Sequence, residues 1–256
     1  LKKLKRYHYE RYALLCELSY PNDFDPLAFG FSEAGNVLIE DQKGHVAARV
    51  LWGPKKEVVV VIRGSKDLRD WLINMQCWLR RVNERHRTYR VHWGYSKMLD
   101  EPCKDTPLLS IYERLRLTLL PLINEGRKVS ITGHSSGGAI GVLMAQRLHR
   151  QHSKCVKRVV TFGQPAVGDY RFKRQYPLAS KTFRVCCDVD LVTFLPPFPG
   201  IYHQVGRTHW LHDERIFEDV SDFRRLLISL SFWLTRPVRY HFMDKYIRRK
   251  NYFDKH

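Results

Sequence analysis

Lys128-Val129-Ser130-Ile131-Thr132-Gly133-His134-Ser135-Ser136-Gly137-Gly138-Ala139 sets a serine between two glycines, directly after a β-branched run and directly before a helical pattern. Val129 to Thr132 has the composition of a buried strand, and Ala139 to Leu148 that of a helix with an apolar face. A serine at so sharp a strand-to-helix turn has strained backbone dihedrals, and side chains on its neighbours would crowd the turn. Gly133 and Gly137 remove that crowding and let the two elements pack closely. The Ser135 hydroxyl is then expected to face solvent or a bound molecule, which makes it a candidate nucleophile. A Gly-x-Ser-x-Gly pentapeptide is common by chance, so its place between strand and helix is what gives it weight.

The rest of the chain supplies room for a large sheet around that turn. It has 256 residues, 44% of them apolar, enough for one α/β domain over residues 1–256. The longest apolar run, Leu226 to Leu234, contains Ser229 and Ser231 and falls well short of the roughly 18 to 20 residues of a spanning helix. The basic start, Leu1-Lys2-Lys3-Leu4-Lys5-Arg6, leads into Tyr7-His8-Tyr9-Glu10-Arg11 without the apolar core of a signal peptide. The expectation is therefore a chain that is soluble or peripheral at a membrane, either cytoplasmic or exported. Six cysteines have neither metal-ligand spacing nor the density of a disulfide scaffold.

A formal charge of +18 implies attraction to something anionic. The basic residues cluster at Arg80-Arg81, Arg85 to Arg90, Arg224-Arg225 and Arg248-Arg249-Lys250, and no nucleic-acid-binding motif accompanies them. Nucleic acid is thus not the expected partner, whereas an anionic membrane surface is compatible with the charge.

Along the chain, residues 7 to 20 form an aromatic and leucine-rich helical pattern stopped by Pro21. Val37 to Glu40 and Val46 to Trp52 flank Asp41-Gln42-Lys43-Gly44 as a hairpin, followed by the apolar strand Val58 to Ile62. Strands then alternate with helices: Leu108, Ile111, Tyr112, Leu115, Leu119 and Leu122 repeat at helical spacing, and Arg158 to Phe162 and Thr182 to Cys187 read as further strands. Such alternation predicts a mainly parallel central sheet with helices on both faces. Functional residues are then expected at the carboxyl ends of the strands.

A serine hydroxyl is a poor nucleophile at neutral pH unless a histidine takes its proton and a carboxylate orients the imidazole. In the order Ser, acid, His, the acid after the Thr182–Cys187 strand is Asp188 or Asp190, and the base is His203, His209, His212 or His241. Order alone does not choose among them.

Several separated segments resemble the class 3 lipase family, the fungal triacylglycerol-lipase type of α/β hydrolase. Val60-Val61-Ile62-Arg63-Gly64-Ser65 with Asp70-Trp71 resembles the family's oxyanion strand and loop, and Val91-His92-Trp93-Gly94-Tyr95 its Val-His-x-Gly-Phe segment. Thr132 to Ala139 is similar to the nucleophile motif, Thr161-Phe162-Gly163-Gln164-Pro165-Ala166-Val167-Gly168-Asp169 to the next signature, and Asp190-Leu191-Val192-Thr193-Phe194-Leu195-Pro196-Pro197 to the acid segment. Cys187 stands where the family often has asparagine, and the segment after Gly206 is too divergent to align. The resemblance implies an α/β-hydrolase fold with a helical lid. It selects Asp190 over Asp188, leaving Asp188 as a solvated loop residue. It also selects His241, because His241-Phe242-Met243-Asp244-Lys245-Tyr246 is similar to the late histidine segment of bacterial and plant members. His203, His209 and His212 then fall in a long loop and make local hydrogen bonds. His134 and His92 are implied to pack and position neighbours, Arg63 to be a structural ion-pair partner, and Asp70 to support its loop.

By the same resemblance, the backbone N–H of Ser136 and the N–H and hydroxyl of Ser65 would receive the developing oxyanion. Neither a metal nor an organic cofactor is expected. Leu68, Trp71, Leu72, Met75 and Leu79 recur at helical spacing beside Trp78. In the position of the family's lid, residues 66–81 are expected to form an amphipathic cover that exposes Trp71, Leu72, Met75 and Trp78 to lipid on opening. Arg80, Arg81, Arg85 and Arg87 would then attract anionic headgroups. The expected function is a serine-dependent carboxylic-ester hydrolase cleaving acylglycerols at a lipid–water interface. Alternatives are a phospholipase A-type enzyme, a soluble carboxylesterase, or a non-catalytic lipid- or nucleic-acid-binding module.

Overall fold

Val58, Val59, Val60, Val61 and Ile62 are all buried, and their alternation divides them between two hydrophobic clusters, one on each side of a sheet. A strand covered on both faces needs this unbroken apolar run, which explains why no polar residue interrupts it. The computed structural model describes residues 4–18, 21, 23–64, 77–84, 87–198, 200–233 and 239–255. Ten strands occur among them: β1 (Asn36–Glu40), β2 (Val46–Trp52), β3 (Glu57–Ile62), β4 (Leu79–Glu84), β5 (Arg87–His92), β6 (Lys128–His134), β7 (Val156–Phe162), β8 (Thr182–Cys187), β9 (Arg207–His212) and β10 (Arg215–Glu218). Eight form one sheet in the order β1-β2-β3-β6-β7-β8-β9-β10. The five strands from β3 to β9 in that order run parallel, and antiparallel strands flank them on both sides.

The α-helices are α1 (Arg6–Leu18), α2 (Trp93–Asp100), α3 (Ile111–Asn124), α4 (Ser136–Gln151), α5 (Tyr170–Gln175), α6 (Asp222–Trp233) and α7 (Met243–Arg248). Buried residues of α2, α3, α4 and α5 pack with Val58, Val60, Ile62, Val129 and Ile131 on one face. On the other face Tyr9, Tyr12 and Leu15 of α1 and Met243 and Tyr246 of α7 meet Val59, Val61, Phe162 and Val185. On that face β6 presents polar groups. Ser130 Oγ donates to Glu57 Oε1 at 2.6 Å, and Thr132 Oγ1 lies 3.3 Å from Cys16 Sγ. Burial pushes the Glu57 carboxyl up, but Ser130, Lys157 and Tyr12 together hold it below its ordinary value.

Parallel register makes the carboxyl ends level: Ile62 pairs with Gly133, His134 with Phe162, and Phe162 with Val185. The segments after β3, β6, β7 and β8 therefore emerge side by side, as expected for an open parallel sheet.

Several expectations change. The helix read over residues 7 to 20 spans Arg6–Leu18 among the described residues. Leu79, read as part of a helical cover, begins β4, which pairs with β5 as a two-stranded antiparallel ribbon. Of the lid candidates, Leu68, Trp71, Leu72 and Met75 lie outside the described residues, as does Asp70, while Trp78 is described and strongly exposed. His209 and His212 lie on β9, because the stretch after Gly206 turns back as the β9–β10 hairpin. Among the described residues no helix is long and apolar enough to cross a membrane, and every cysteine is a free thiol.

Candidate active site

Ser135 joins β6 to α4 with φ 57° and ψ −132°, a backbone conformation that non-glycine residues rarely adopt. Its N–H donates to Phe162 O at 2.9 Å, and its carbonyl accepts from Gly138 N–H at 3.0 Å. The flanking glycines are required by contact with backbone, not by φ. A Cβ on Gly133 would sit 2.5 Å from Gly137 O, and one on Gly137 2.4 Å from Ile62 O. Strand, helix and the end of β3 thus close on one another with no space for a methyl group. Gly64 belongs to the same junction, since its Cβ would meet His134 O at 2.6 Å. This crowding also changes the expected exposure: Ser135 is 4% exposed, not open to solvent. Its Oγ makes no hydrogen bond to any described residue.

Asp190 follows β8 and is fully buried. Oδ1 accepts from the Val192 N–H at 3.0 Å, capping the 3-10 turn Leu191–Phe194, and both oxygens lie 3.0 Å from His241 Nδ1. Tyr246 OH donates to Oδ2 at 2.5 Å. Burial pushes this carboxyl up, but the His241 imidazole and the Tyr246 hydroxyl outweigh it, so Asp190 titrates below the ordinary carboxylate range. His241 ends the 3-10 turn Arg239–His241 and is 1% exposed. With Nδ1 held by Asp190, its Nε2 is buried and makes no hydrogen bond to a described residue.

His134, immediately before Ser135, ties these parts together. Its Nε2 donates to the His241 carbonyl at 2.7 Å, and the two rings lie 4.5 Å apart. Burial, reinforced by His241, lowers the His134 pKa to about 3, so the ring is neutral and available as a donor. His92 is buried, accepts from Tyr95 N–H at 3.4 Å, stacks on the Tyr95 ring at 3.8 Å, and is lowered to about 4 by burial. Both imidazoles stay neutral in the fold and gain a proton once unfolded below about pH 6.5. Unfolding therefore takes up protons between pH 6.5 and 4. Their contribution is intact above that window and lost progressively as pH falls through it, at about 1.4 kcal/mol per pH unit for each fully neutralised site. The depressed carboxylates Glu57, Asp190 and Asp222 act in the same direction at lower pH. Denaturant midpoints measured from pH 7 to 4.5 are expected to fall steadily; a flat profile would contradict the neutral-histidine assignment.

Two contributors were missed by reading the chain. Gly163, just after β7, has φ +58°, and a Cβ there would lie 2.8 Å from His241 Cε1 and 2.9 Å from Asp190 Oδ2. Glycine repeats are frequent enough that only this packing reveals its role. Gly163→Ala is expected to displace the Asp190–His241 pair and lower kcat about 10²-fold, the usual cost of a misplacement near 1 Å, for the ester hydrolysis that the class 3 lipase resemblance implies. Unaltered kcat in the folded variant would show that the pair tolerates the methyl group. Tyr246 is the second. Besides Asp190, its hydroxyl accepts from the Cys187 N–H at 3.3 Å, and its carbonyl accepts from Tyr9 OH. The sequence marks Tyr246 only as the end of the histidine segment.

The rival residues lie elsewhere. Asp188 is not a solvated loop residue. It forms an ion pair with Arg249 and lies 3.2 Å from His212 Nδ1, so it anchors the segment after His241 to the end of β8. His209 is buried on β9, with Nε2 3.4 Å from Glu218 Oε1. His203 Nε2 is 3.3 Å from Gly200 O. Of the oxyanion candidates, Ser136 is buried at the first position of α4, next to the Ser135 turn. Ser65 lies outside the described residues. Side-chain amides join the neighbouring loops, since Gln204 Nε2 donates to Thr193 O at 2.9 Å and the buried Gln164 Nε2 to Gln204 Oε1 at 3.4 Å.

A level parallel sheet with a serine at the strand-to-helix turn after β6 has the α/β-hydrolase fold, and comparison with solved structures agrees. The triacylglyceride lipase of Rhizomucor miehei superposes with a TM-score of 0.67 at 23% identity, covering 81% of this chain and 80% of that one. A fungal lipase–inhibitor complex superposes with a TM-score of 0.74 at 20% identity, covering 97% and 96%. The family Lipase (class 3) matches residues 59–199, more than half of the chain, and the chain belongs to that family. Phospholipase A1-Igamma2 of Arabidopsis thaliana is 27% identical over 180 residues, covering 61% of this chain and 33% of the relative. The lipase of Rhizomucor miehei is 27% identical over 165 residues, covering 62% and 43%. The chain thus matches less than half the length of these curated relatives.

Proposed function

We propose that this chain is a serine-dependent carboxylic-ester hydrolase acting on acylglycerol esters at a lipid–water interface. The observation that carries the reading is the Asp190–His241 pair, buried and 3.0 Å apart, whose histidine ring lies 4.5 Å from that of His134, the residue preceding the strained Ser135. In this reading Ser135 Oγ attacks the ester carbonyl while His241 Nε2 takes its proton. Asp190 holds the imidazole in the tautomer with Nδ1 protonated and stabilises the imidazolium that forms. The N–H groups of Ser136 and Ser65 receive the oxyanion. His241 returns the proton to the leaving alkoxide. Water, deprotonated by the same histidine, then releases the acyl group and regenerates Ser135.

Exposed Trp78, Phe198, Ile201 and Phe242 support a surface that meets lipid. In this reading the apolar residues Leu68, Trp71, Leu72 and Met75 also meet lipid. A phospholipase A-type activity is the second reading, because Arabidopsis thaliana relatives carry that name. Initial rates on a soluble short-chain ester, a triacylglycerol raised through its solubility limit, and phospholipid vesicles distinguish these. Expected is a rise in rate when the triacylglycerol separates as a second phase. A rate that tracks monomer alone would reject the interfacial reading, and release of fatty acid from vesicles alone would favour the phospholipase.

A further inference from the structure

A concave feature lies away from Ser135, between the β4–β5 ribbon and the helices α2, α3 and α4. It encloses about 970 Å³, within the range of small-ligand sites. Arg80, Arg81, Arg87, Arg147 and Arg150 line it, against the acids Asp100 and Glu113. Those acids are already engaged. Asp100 takes Arg80 at 2.7 Å and Arg147 at 2.6 Å, and Glu113 takes Arg116 at 2.8 Å. Arg81 and Arg87 are exposed and form no ion pair with any residue whose side chain is described, and five arginines against two acids give the lining surplus positive charge.

The floor is built, not merely charged. The Arg147 guanidinium lies over the Tyr112 ring, 5.4 Å from its centroid, and donates to Ser96 Oγ at 3.0 Å. That of Arg150 lies 5.1 Å from the Tyr89 ring centroid and donates to Tyr89 OH at 2.8 Å. Tyr89 and Ser96 are each 2% exposed, and Gln146 is 3% exposed. Gln146 Nε2 makes no hydrogen bond of normal geometry to a described residue. Arg150, in the last turn, also complements the negative end of the α4 dipole, but Arg81 and Arg87 on the facing ribbon have no such compensation. Along α4, Arg147 lies about 16 Å beyond Ser136, too far to touch an ester held at Ser135.

We propose that this cleft is a non-catalytic binding site for a phosphate group. Guanidinium groups present paired N–H donors that match phosphate oxygens, and several can share one phosphate where a carboxylate would satisfy fewer. The phosphate could come from a lipid headgroup or from a water-soluble phosphate ester, and the experiment separates the two sources. The proposal is independent of the hydrolase reading, because its readout is binding and not turnover.

Calorimetric titration of the 256-residue chain with inositol hexakisphosphate and with glycerol 3-phosphate is the first arm. Co-sedimentation with phosphatidylcholine vesicles, with and without phosphatidic acid, is the second. Arg81→Gln/Arg87→Gln is compared with Arg171→Gln/Arg174→Gln, which removes equal charge from exposed positions outside the cleft. Saturable binding of a soluble phosphate ester, weakened about tenfold or more only in the cleft variant, supports the site with a soluble source. Selective loss confined to phosphatidic acid vesicles supports it with a headgroup source. As a check independent of any substitution, bound phosphate ester or phosphatidic acid should protect Arg81 and Arg87 from phenylglyoxal in the unmodified chain. Equal weakening in both variants, or no binding in either arm and no protection, overturns the proposal.

Discussion

Ser135→Ala is expected to lower kcat for ester hydrolysis by about 10⁴-fold or more, with little change in thermal stability. Both halves of that result follow from the geometry. The Ser135 Oγ makes no hydrogen bond to any described residue, so deleting it breaks no contact seen in the fold. Alanine also suffers the same strain as serine at φ 57°, so the turn is neither relieved nor further strained. All of the loss should therefore fall on chemistry. Oxyanion donors and substrate binding would leave some acceleration over water, which sets the floor of the measurement. A variant that retained more than a hundredth of the activity would remove Ser135 from the mechanism. Steady-state rates on a soluble ester, paired with a melting curve, decide between these outcomes.

Asp190→Asn is expected to cost about 10³- to 10⁴-fold in kcat. The carboxylate accepts from His241 Nδ1, Tyr246 OH and the Val192 N–H with only two oxygens. An asparagine keeps one acceptor oxygen and turns an NH2 group toward one of these donors. If that group faces His241, Nδ1 must become the acceptor, which moves the proton to Nε2 and disables it as a base. If it faces Tyr246, the hydroxyl loses its acceptor in a buried site. Tyr246→Phe removes one donor and leaves the tautomer intact, so its loss in kcat should be far smaller. Equal losses in the two variants would mean that Asp190 matters only for packing. The rates should be read across pH, because a wrong tautomer persists at every pH whereas a shifted titration can be overcome.

How far the chain could be read depended on whether its elements are governed by local pattern or by distant contacts. Val58 to Ile62, Thr182 to Cys187 and the turn at Ser135 follow from apolar runs, β-branching and glycine placement, and all three lie where those patterns put them. The β4–β5 ribbon does not. Leu79-Arg80-Arg81-Val82-Asn83-Glu84 alternates weakly, and Arg85-His86, the two residues between the strands in sequence, carry no glycine or asparagine to mark a hairpin. Its leading leucine therefore joined the 3.6-residue spacing of Leu68, Trp71, Leu72 and Met75.

Side-chain partners were the least legible. Two aspartates separated by one residue differ completely in role: Asp190 meets His241 and Tyr246, while Asp188 meets Arg249 and His212. All four partners come from later parts of the chain, so no local pattern distinguishes the two acids. Resemblance to class 3 lipases made the choice, through Val192 and the Pro196-Pro197 pair. The same limit hid Gly163, whose need for hydrogen in place of a side chain is set by His241, 78 positions further on.

The central claim is that Ser135 is made nucleophilic by His241 and Asp190. Labelling the folded chain with a fluorophosphonate, and locating the adduct by peptide mapping, tests it most directly. The account predicts one adduct per chain, on Ser135, formed at a rate that falls by about 10³-fold or more in His241→Ala. An adduct on another serine, or undiminished labelling without His241, would contradict it.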